Sequence, residues 1–309
     1  MTETQMTVAE WIDRISAQLD QAGLHFGHGT DNARDEAAWL VLHTIGAPLD
    51  GRFTDWGKRV SETQAADIHR LAEERCRSGG PLAYLTGRAW FAGLEFEVTP
   101  DVLVPRSPLA ELILDEFRPW VEPGRLRRVL DLCTGSGCIA IATAVHMPQV
   151  QVDATDISPA ALRVAANNVA RHGLADRVRL LQSDLFQSIP PCRYDLIVAN
   201  PPYVACGTLA ALPREYRSEP SLGLVSGADG LDAVLQILAQ APHYLAPDGI
   251  LVCEVGESES RLVSVLPEAP FLWLEFERGG SGVFVLTRAE LDAAQPAVTA
   301  LIREREDVA

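Results

Sequence analysis

From residue 127 onward the chain repeats one rhythm: a short apolar run, a turn marked by glycine or proline, then a stretch with helical spacing. Residues 129–132, 150–154, 178–181 and 194–199 are four such runs, too short for helices and bounded by turn residues. Helical stretches follow at 138–145 and from Ser158-Pro159, an N-cap with proline at the first helical position. A helix over 231–245, a strand over 249–255, another helix and two last strands, 272–276 and 283–286, complete the series. Strands separated by helices pair in parallel, and a parallel sheet needs both faces covered. The expected fold is α/β, a doubly wound, mostly parallel sheet of seven strands.

Upstream the pattern is different. Thr7 and Glu10 have capping-box spacing, and Trp11, Ile12, Ile15 and Leu19 then fall on one helical face before Gly23. A second helix is expected over 31–45, with Ala37, Leu40, Val41 and Thr44 inward, and a third from Ser61 and Gln64 to Gly79-Gly80-Pro81. Between 88 and 104, Trp90-Phe91 and Leu94, Phe96 and Val98 flank Ala92-Gly93, which predicts a β-hairpin followed by Val102-Leu103-Val104-Pro105-Arg106. A short helix is expected over 109–117. The chain therefore divides into a helical unit (1–85), a hairpin linker (86–107), the α/β domain (108–288) and a polar tail (289–309), helical or frayed.

Three strand ends carry candidate chemistry. Asp131-Leu132-Cys133-Thr134-Gly135-Ser136-Gly137 stands where the first strand hands over to a helix. Glycines there allow a tight turn and let backbone amides face a ligand. Gly135, Gly137 and Ala140 also satisfy the dinucleotide fingerprint, so the glycines alone do not separate NAD from S-adenosylmethionine. Asp156 follows the second strand, about twenty residues past the last glycine, where a carboxylate can accept both hydroxyls of a ribose. Asp184 follows the third, placed to accept from an adenine amino group. In open parallel sheets ligands bind beyond the carboxyl ends of the strands, where all three lie.

The fourth strand delivers Asn200-Pro201-Pro202-Tyr203. Each proline fixes its own φ and removes a donor, leaving carbonyls free to accept. A planar NH₂ group has two donors: Asn200 Oδ1 can take one and the Pro201 carbonyl the other, while Tyr203 stacks on the flat group. An amide nitrogen is a poor nucleophile, so the expected reaction is direct in-line transfer of a methyl from a sulfonium, driven by orientation. No general base is evident nearby in the sequence.

Composition narrows the partners. With 26 Lys plus Arg against 42 Asp plus Glu, the net charge of −16 gives no support for phosphate-backbone binding; it either attracts a basic partner or serves only to keep the protein soluble. The six cysteines form no CxxC pair and no Cys/His cluster at zinc spacing, so no metal is expected and a reducing compartment is. The N-terminus lacks an apolar signal core and no stretch has the length of a membrane span, which predicts a cytoplasmic protein without a membrane partner.

Taken together, residues 131–137, Asp156, Asp184 and Asn200 to Tyr203 resemble a class I S-adenosylmethionine methyltransferase, with a Rossmann-like sheet, of the type that acts on amino or amide nitrogens. Further upstream, Ala83-Tyr84-Leu85-Thr86-Gly87, residues 91–98 and residues 102–106 are similar to the protein-glutamine methyltransferases, and the likeness covers nearly everything to about residue 288. One branch of that family modifies the glutamine of the Gly-Gly-Gln loop of release factors; the other modifies a glutamine of the third protein of the large ribosomal subunit. Pro105-Arg106-Ser107-Pro108-Leu109-Ala110-Glu111, Trp90-Phe91 and Glu219-Pro220-Ser221-Leu222-Gly223-Leu224 look like the ribosomal-protein branch. The resemblance implies S-adenosyl-L-methionine as cofactor and a basic ribosomal protein, not a nucleic acid, as substrate, with a release factor as the alternative. It also implies that Asn200, Pro201, Pro202 and Tyr203 hold the substrate amide with Arg106 nearby. Gly135, Ser136 and Gly137 would contact the methionine part, Asp156 the ribose and Asp184 or Leu185 the adenine, with Asp131, Thr134 and Ile157 also in the cofactor site, and Asn200 would border both ligands. A DNA adenine methyltransferase shares the four-residue pocket, and an NAD-dependent dehydrogenase shares the glycines but leaves that pocket unexplained. The irregular run over 206–222 is expected to be a mobile flap.

Overall fold

The structure, a computed structural model, describes residues 6–307; the outermost residues of the helical unit and of the tail, 1–5 and 308–309, lie outside the described residues. Three helices open the chain: α1 (Val8–Gln21), α2 (Ala33–Thr44) and α3 (Glu62–Ser78). Thr7 and Ser61 make full capping boxes with Glu10 and Gln64, and Gly79 closes α3 in the left-handed conformation, φ 67°. Trp11, Ile12, Ile15 and Leu19 are buried as their spacing requires, against Leu40 and Val41 of α2 and Ile68 of α3. Thr44, expected inward, is only partly buried; its hydroxyl returns to the Leu40 carbonyl at 2.8 Å.

After a short α4 (Leu82–Thr86), strands β1 (Arg88–Phe91) and β2 (Leu94–Glu97) form the predicted antiparallel hairpin. Its two-residue turn places Ala92 and Gly93 at φ 47° and 79°, a pairing whose twist suits a hairpin. Among the side chains that tie the hairpin to the α/β domain, His146 and His172 on the carbonyls of Ala92 and Glu95 included, Asn168 is fully buried. Asn168 accepts from the Glu97 amide (2.7 Å) and donates to the carbonyls of Glu97 and Ser136 (2.9 Å each), joining the hairpin to the glycine loop.

The α/β domain holds α5 (Leu109–Leu114), β3 (Arg128–Leu132), α6 (Cys138–His146), β4 (Gln151–Asp156), α7 (Pro159–Arg171), β5 (Val178–Gln182) and β6 (Tyr194–Ala199). There follow α8 (Ser221–Leu224), α9 (Asp232–Gln240), β7 (Leu245–Glu254), α10 (Glu259–Val265), β8 (Leu272–Trp273), β9 (Val283–Thr287) and α11 (Arg288–Glu306). The seven strands are ordered β5-β4-β3-β6-β7-β9-β8, parallel from β5 to β7 and antiparallel at β9 and β8. The chain steps outward from β3 to β5 and then returns to the other side of β3 as β6. The resulting crevice between the ends of β3 and β6 is the topological switch point.

Several boundaries move for local reasons. Helix α5 stops at Leu114 rather than 117 because Glu116 and Phe117 take φ 54° and 58°, outside the helical region. Helix α9 ends at Gln240, where Pro242 interrupts the amide ladder, and β7 begins at Leu245, four residues before the expected start. Strand β8 keeps only Leu272 and Trp273 of the run 272–276.

The polar tail is a packed helix. Thr287 and Glu290 make a capping box, and α11 buries Leu291, Ala294 and Val298 against the sheet face that carries α9. Gln295 donates to the Leu238 carbonyl at 2.9 Å, and Arg305 pairs with Asp229 and with Asp232 (3.0 Å). Leu291→Ala is therefore expected to lower stability by about 2–5 kcal/mol, read as a lower denaturant midpoint; an unchanged midpoint would return α11 to the status of a tail. Among the described residues no helix is long and apolar enough to cross a membrane.

Candidate functional site

Beyond the carboxyl ends of β3, β4, β5 and β6 lies a cavity of about 450 Å³. A larger, shallow concavity of about 790 Å³ sits at the opposite end of the sheet, beside the starts of β4 and β5, where Arg179 is engaged by Asp153 at 2.8 Å. The cavity at the strand ends is the one that gathers the predicted residues.

Its first wall is the loop after β3. Cys133 and Gly135 take φ 59° and 56°, and Gly137, φ 81°, starts α6. Cys133 is a non-glycine in this region, held there by the loop around it. A side chain at Gly137 would stand 3.3 Å from Ala165 Cβ and 3.2 Å from Ile141, so this glycine serves the close approach of α6 and α7 and does not border the cavity. Asp131, expected at the ligand, is fully buried beneath the loop. Its Oδ2 accepts from Thr134 Oγ1 (2.5 Å) and the Ala140 amide (3.2 Å), its Oδ1 has no hydrogen-bond partner among the described residues, and burial pushes its carboxyl up to about 7. Thr134, Gly135 and Ser136 do border the cavity.

The second wall comes from β4 and β5. Asp156 accepts from the amides of Gly135 and Ser158, each at 2.9 Å, and burial raises its carboxyl. It is therefore both a brace of the loop and a carboxylate at the cavity edge. Ile157, 44% exposed, lies beside it, and Asp184 and Leu185 close this side, with Leu185 at φ 46°. Carboxylates flanking an apolar slot, above an unpartnered buried carboxylate oxygen, suit a nucleoside that carries positive charge.

The third wall is Asn200, Pro202 and Tyr203; Pro201 is buried behind them. Tyr203 is held on several sides by the end of β7 and the turn into α10. Its hydroxyl meets Glu254 Oε1 at 3.3 Å, its carbonyl accepts from Ser258 Oγ at 2.7 Å, and its ring lies where any side chain at Gly256 would come within 2.7 Å. Glu254 is buried, accepts a second hydrogen bond from Ser107 Oγ at 2.5 Å, and is raised in pKa by that burial. No sequence pattern marks Glu254 or Ser107 for the site; an acid at the end of the strand after the pocket is the available signal.

Arg106 borders the cavity, but its guanidinium is engaged elsewhere. Nη1 and Nη2 bind Glu219 Oε1 and Oε2 at 2.6 and 2.7 Å, and the charge lies over the Tyr216 ring at 5.1 Å. Glu219 also accepts from the Val104 amide at 3.0 Å, and His28 Nε2 approaches it at 3.4 Å without the alignment of a hydrogen bond. Burial would raise Glu219, but His28 and Arg106 outweigh it, and the carboxyl is held at about 2. A few residues away, buried Arg75 joins Glu36 (2.6 Å) to Glu215 (3.2 Å), and Glu215 accepts from the His25 amide at 3.0 Å. The run 206–222, expected as a mobile flap, is thus fixed over its second half: Arg214 donates to the Cys76 carbonyl at 2.9 Å, and Glu215 and Glu219 are locked to the helical unit and linker. The reason is charge: two buried carboxylates need cations, and Arg75 and Arg106 provide them.

Residues 110–211 match the family described as the methyltransferase small domain, and residues 10–87 match the PrmC N-terminal domain. The chain is 48% identical, over 97% of its length, to the ribosomal protein uL3 glutamine methyltransferase of Xanthomonas campestris pv. campestris, 97% of which is covered. It is 45% identical, over 93% of its length, to the protein of the same name from Bordetella pertussis, 96% of which is covered. Among solved structures, the hMettl16 catalytic domain in complex with MAT2A 3'UTR hairpin 1 superposes with a TM-score of 0.50 at 16% identity, covering 80% of this chain and 91% of that one. The last is a likeness of fold.

Proposed function

The chain belongs to the family of ribosomal protein uL3 glutamine methyltransferases, and from that premise we propose that it transfers a methyl group from S-adenosyl-L-methionine to the side-chain amide nitrogen of a glutamine in that ribosomal protein. The observation that carries the reading is the convergence of the loop after β3, Asp156 at the end of β4 and Asn200, Pro202 and Tyr203 after β6 on one cavity. When bound, S-adenosyl-L-methionine supplies an electrophilic methyl on a cationic sulfonium. The residues present suit it: Thr134, Gly135 and Ser136 offer the loop for the methionine part, braced from beneath by Asp131. Asp156 and Ile157 suit the ribose and Asp184 and Leu185 the adenine.

Asn200, at the cavity wall, takes one hydrogen of the substrate amide on Oδ1 and fixes its plane; the backbone carbonyl of Pro201, whose ring is buried behind that wall, is the proposed acceptor for the other. Tyr203, immobilised by Glu254, Ser258 and Gly256, covers one face of that plane. Orientation of a weak nucleophile and hydrogen bonds that tighten as positive charge develops on nitrogen are the catalytic contributions. Arg106 shapes the entrance through Glu219 rather than as a free cation, so its part in substrate binding is through the wall it builds.

A net charge of −16 favours a basic protein as partner over a polyanion. Transfer of labelled methyl to purified uL3, a release factor and adenine-containing DNA, side by side, tests the reading. Label on uL3, mapped to one glutamine amide, is the expected result. Label confined to the release factor would move the chain to the sister activity, and label on DNA would overturn the protein substrate.

A further inference from the structure

The amide-methylation reading leaves one atom without a destination. An NH₂ nitrogen that gains a methyl must lose a proton, and the groups proposed to hold it, Asn200 Oδ1 and the Pro201 carbonyl, are neutral acceptors that orient a hydrogen without keeping it. The other acids that border the cavity, Asp101, Asp156, Asp184 and Asp232, stand on other segments: Asp156 ends β4, Asp232 begins α9, and Asp101 and Asp184 lie in loops. Glu254 is placed differently. Strands β6 and β7 run parallel with Ala199 opposite Cys253 as their last pair, so the next residues, Asn200 and Glu254, leave adjacent strand ends side by side and border the same cavity.

We propose that Glu254 is a further catalytic group of this reaction, the carboxylate that takes the proton shed by the substrate amide; this rests on the reading of the site given above. Ser107 Oγ donates to Oε2 at 2.5 Å and fixes the carboxylate, while Oε1 receives, among the described residues, the long 3.3 Å bond from the Tyr203 hydroxyl alone and so keeps accepting capacity in a residue that borders the cavity. The step balances. The nitrogen pair forms the new N–C bond as the methyl–sulfur bond breaks and its pair stays on sulfur; the N–H proton moves to Glu254, and that bonding pair returns to the amide. One cation and one anion become a neutral thioether and a neutral carboxylic acid. In a buried site the removal of a costly carboxylate charge in the same step as the sulfonium charge assists the transfer. Burial holds Glu254 above the usual glutamate range, which suits a group that must accept a proton. The groups facing it are Ser107 and Arg106 from the linker and Tyr203 from beyond β6.

The test is single-turnover methyl transfer to uL3 by the full-length enzyme between about pH 5 and about pH 9, with calorimetric binding of S-adenosyl-L-methionine and thermal melts beside it. Wild-type rate should rise with pH through one ionisation and then level. Glu254→Gln should lower the plateau by about 10²-fold or more and flatten the profile while cofactor binding and melting stay near wild type. Glu254→Asp, which keeps the base at a shifted position, should be intermediate and keep the ionisation. A flat wild-type profile would overturn the inference whatever the variants do. So would a Glu254→Gln enzyme that keeps the wild-type rate or the wild-type pH limb, the latter assigning the limb to Asp131. Should Glu254→Gln fail to fold, the wild-type profile and Glu254→Asp decide: an Asp enzyme without the ionisation would count against the inference. Wild-type enzyme that labels none of the candidate acceptors would overturn the underlying reading and this inference with it, whereas normal wild-type turnover with an unaffected Glu254→Gln enzyme overturns this inference alone.

Discussion

Asn200→Ala enzyme is expected to lose about 10²–10³-fold in the rate of methyl transfer, the scale of removing one pre-aimed polar group from an active site. The side-chain oxygen at the end of β6 is the proposed fixed acceptor for one hydrogen of the substrate amide. Without it the amide rotates about the bond to its own side chain, and its nitrogen faces the methyl only part of the time. Asn200 stands just past the end of a largely buried strand and is itself only partly buried, so truncating its side chain should leave the fold intact. Single-turnover transfer to uL3, with cofactor binding measured on the same preparation, separates the two effects. A near wild-type rate would place the chemistry elsewhere in the cavity.

Arg75→Ala is expected to cost about 3–5 kcal/mol, because it strands two buried carboxylates at once. Arg75, Glu36 and Glu215 have side chains 1%, 4% and 2% exposed, and Arg75 links α2 and α3 of the helical unit to the segment that follows the pocket. The consequence should reach the site: with Glu215 released, the chain between Tyr203 and Leu224 loses an anchor, and KM for the protein substrate should rise. Chemical denaturation of the variant gives the first effect and steady-state kinetics the second. Replacing all three residues together by apolar ones of similar size should recover most of the stability, since the cost arises from unpaired charge rather than from the lost pair itself. A loss below about 1 kcal/mol for Arg75→Ala would mean that water or local rearrangement satisfies both carboxylates.

The sheet was legible because its signals are local. Apolar runs of strand length, Ser158-Pro159, the capping boxes at Thr7 and Ser61 and the turn at Ala92-Gly93 each depend on residues a few positions apart. Boundaries failed where a local pattern was overridden, α5 by two consecutive residues at positive φ and α9 by Pro242; of the two states open to the tail, helical or frayed, the packing of Leu291, Ala294 and Val298 on the α9 face selects the helix. The site was legible at its strand ends for a related reason. Parallel topology sends the segments after β3, β4, β5 and β6 to one edge, so their residues could be grouped without coordinates.

What sequence alone determined here is the identity of the groups carried to that edge: a glycine loop, two acids and Asn200-Pro201-Pro202-Tyr203. Tertiary structure decided how each is used. It put Asp131 and Gly137 behind the loop, where one braces Thr134 and the other lets α6 meet α7, and it turned Arg106 onto Glu219. It brought Glu254 beside Asn200 and Ser107 onto Glu254 across 147 positions of sequence. Spacing along the chain encodes secondary structure because backbone periodicity is short-ranged. The pairing of buried charges is set by which distant segments fold against one another, and no local pattern records that choice.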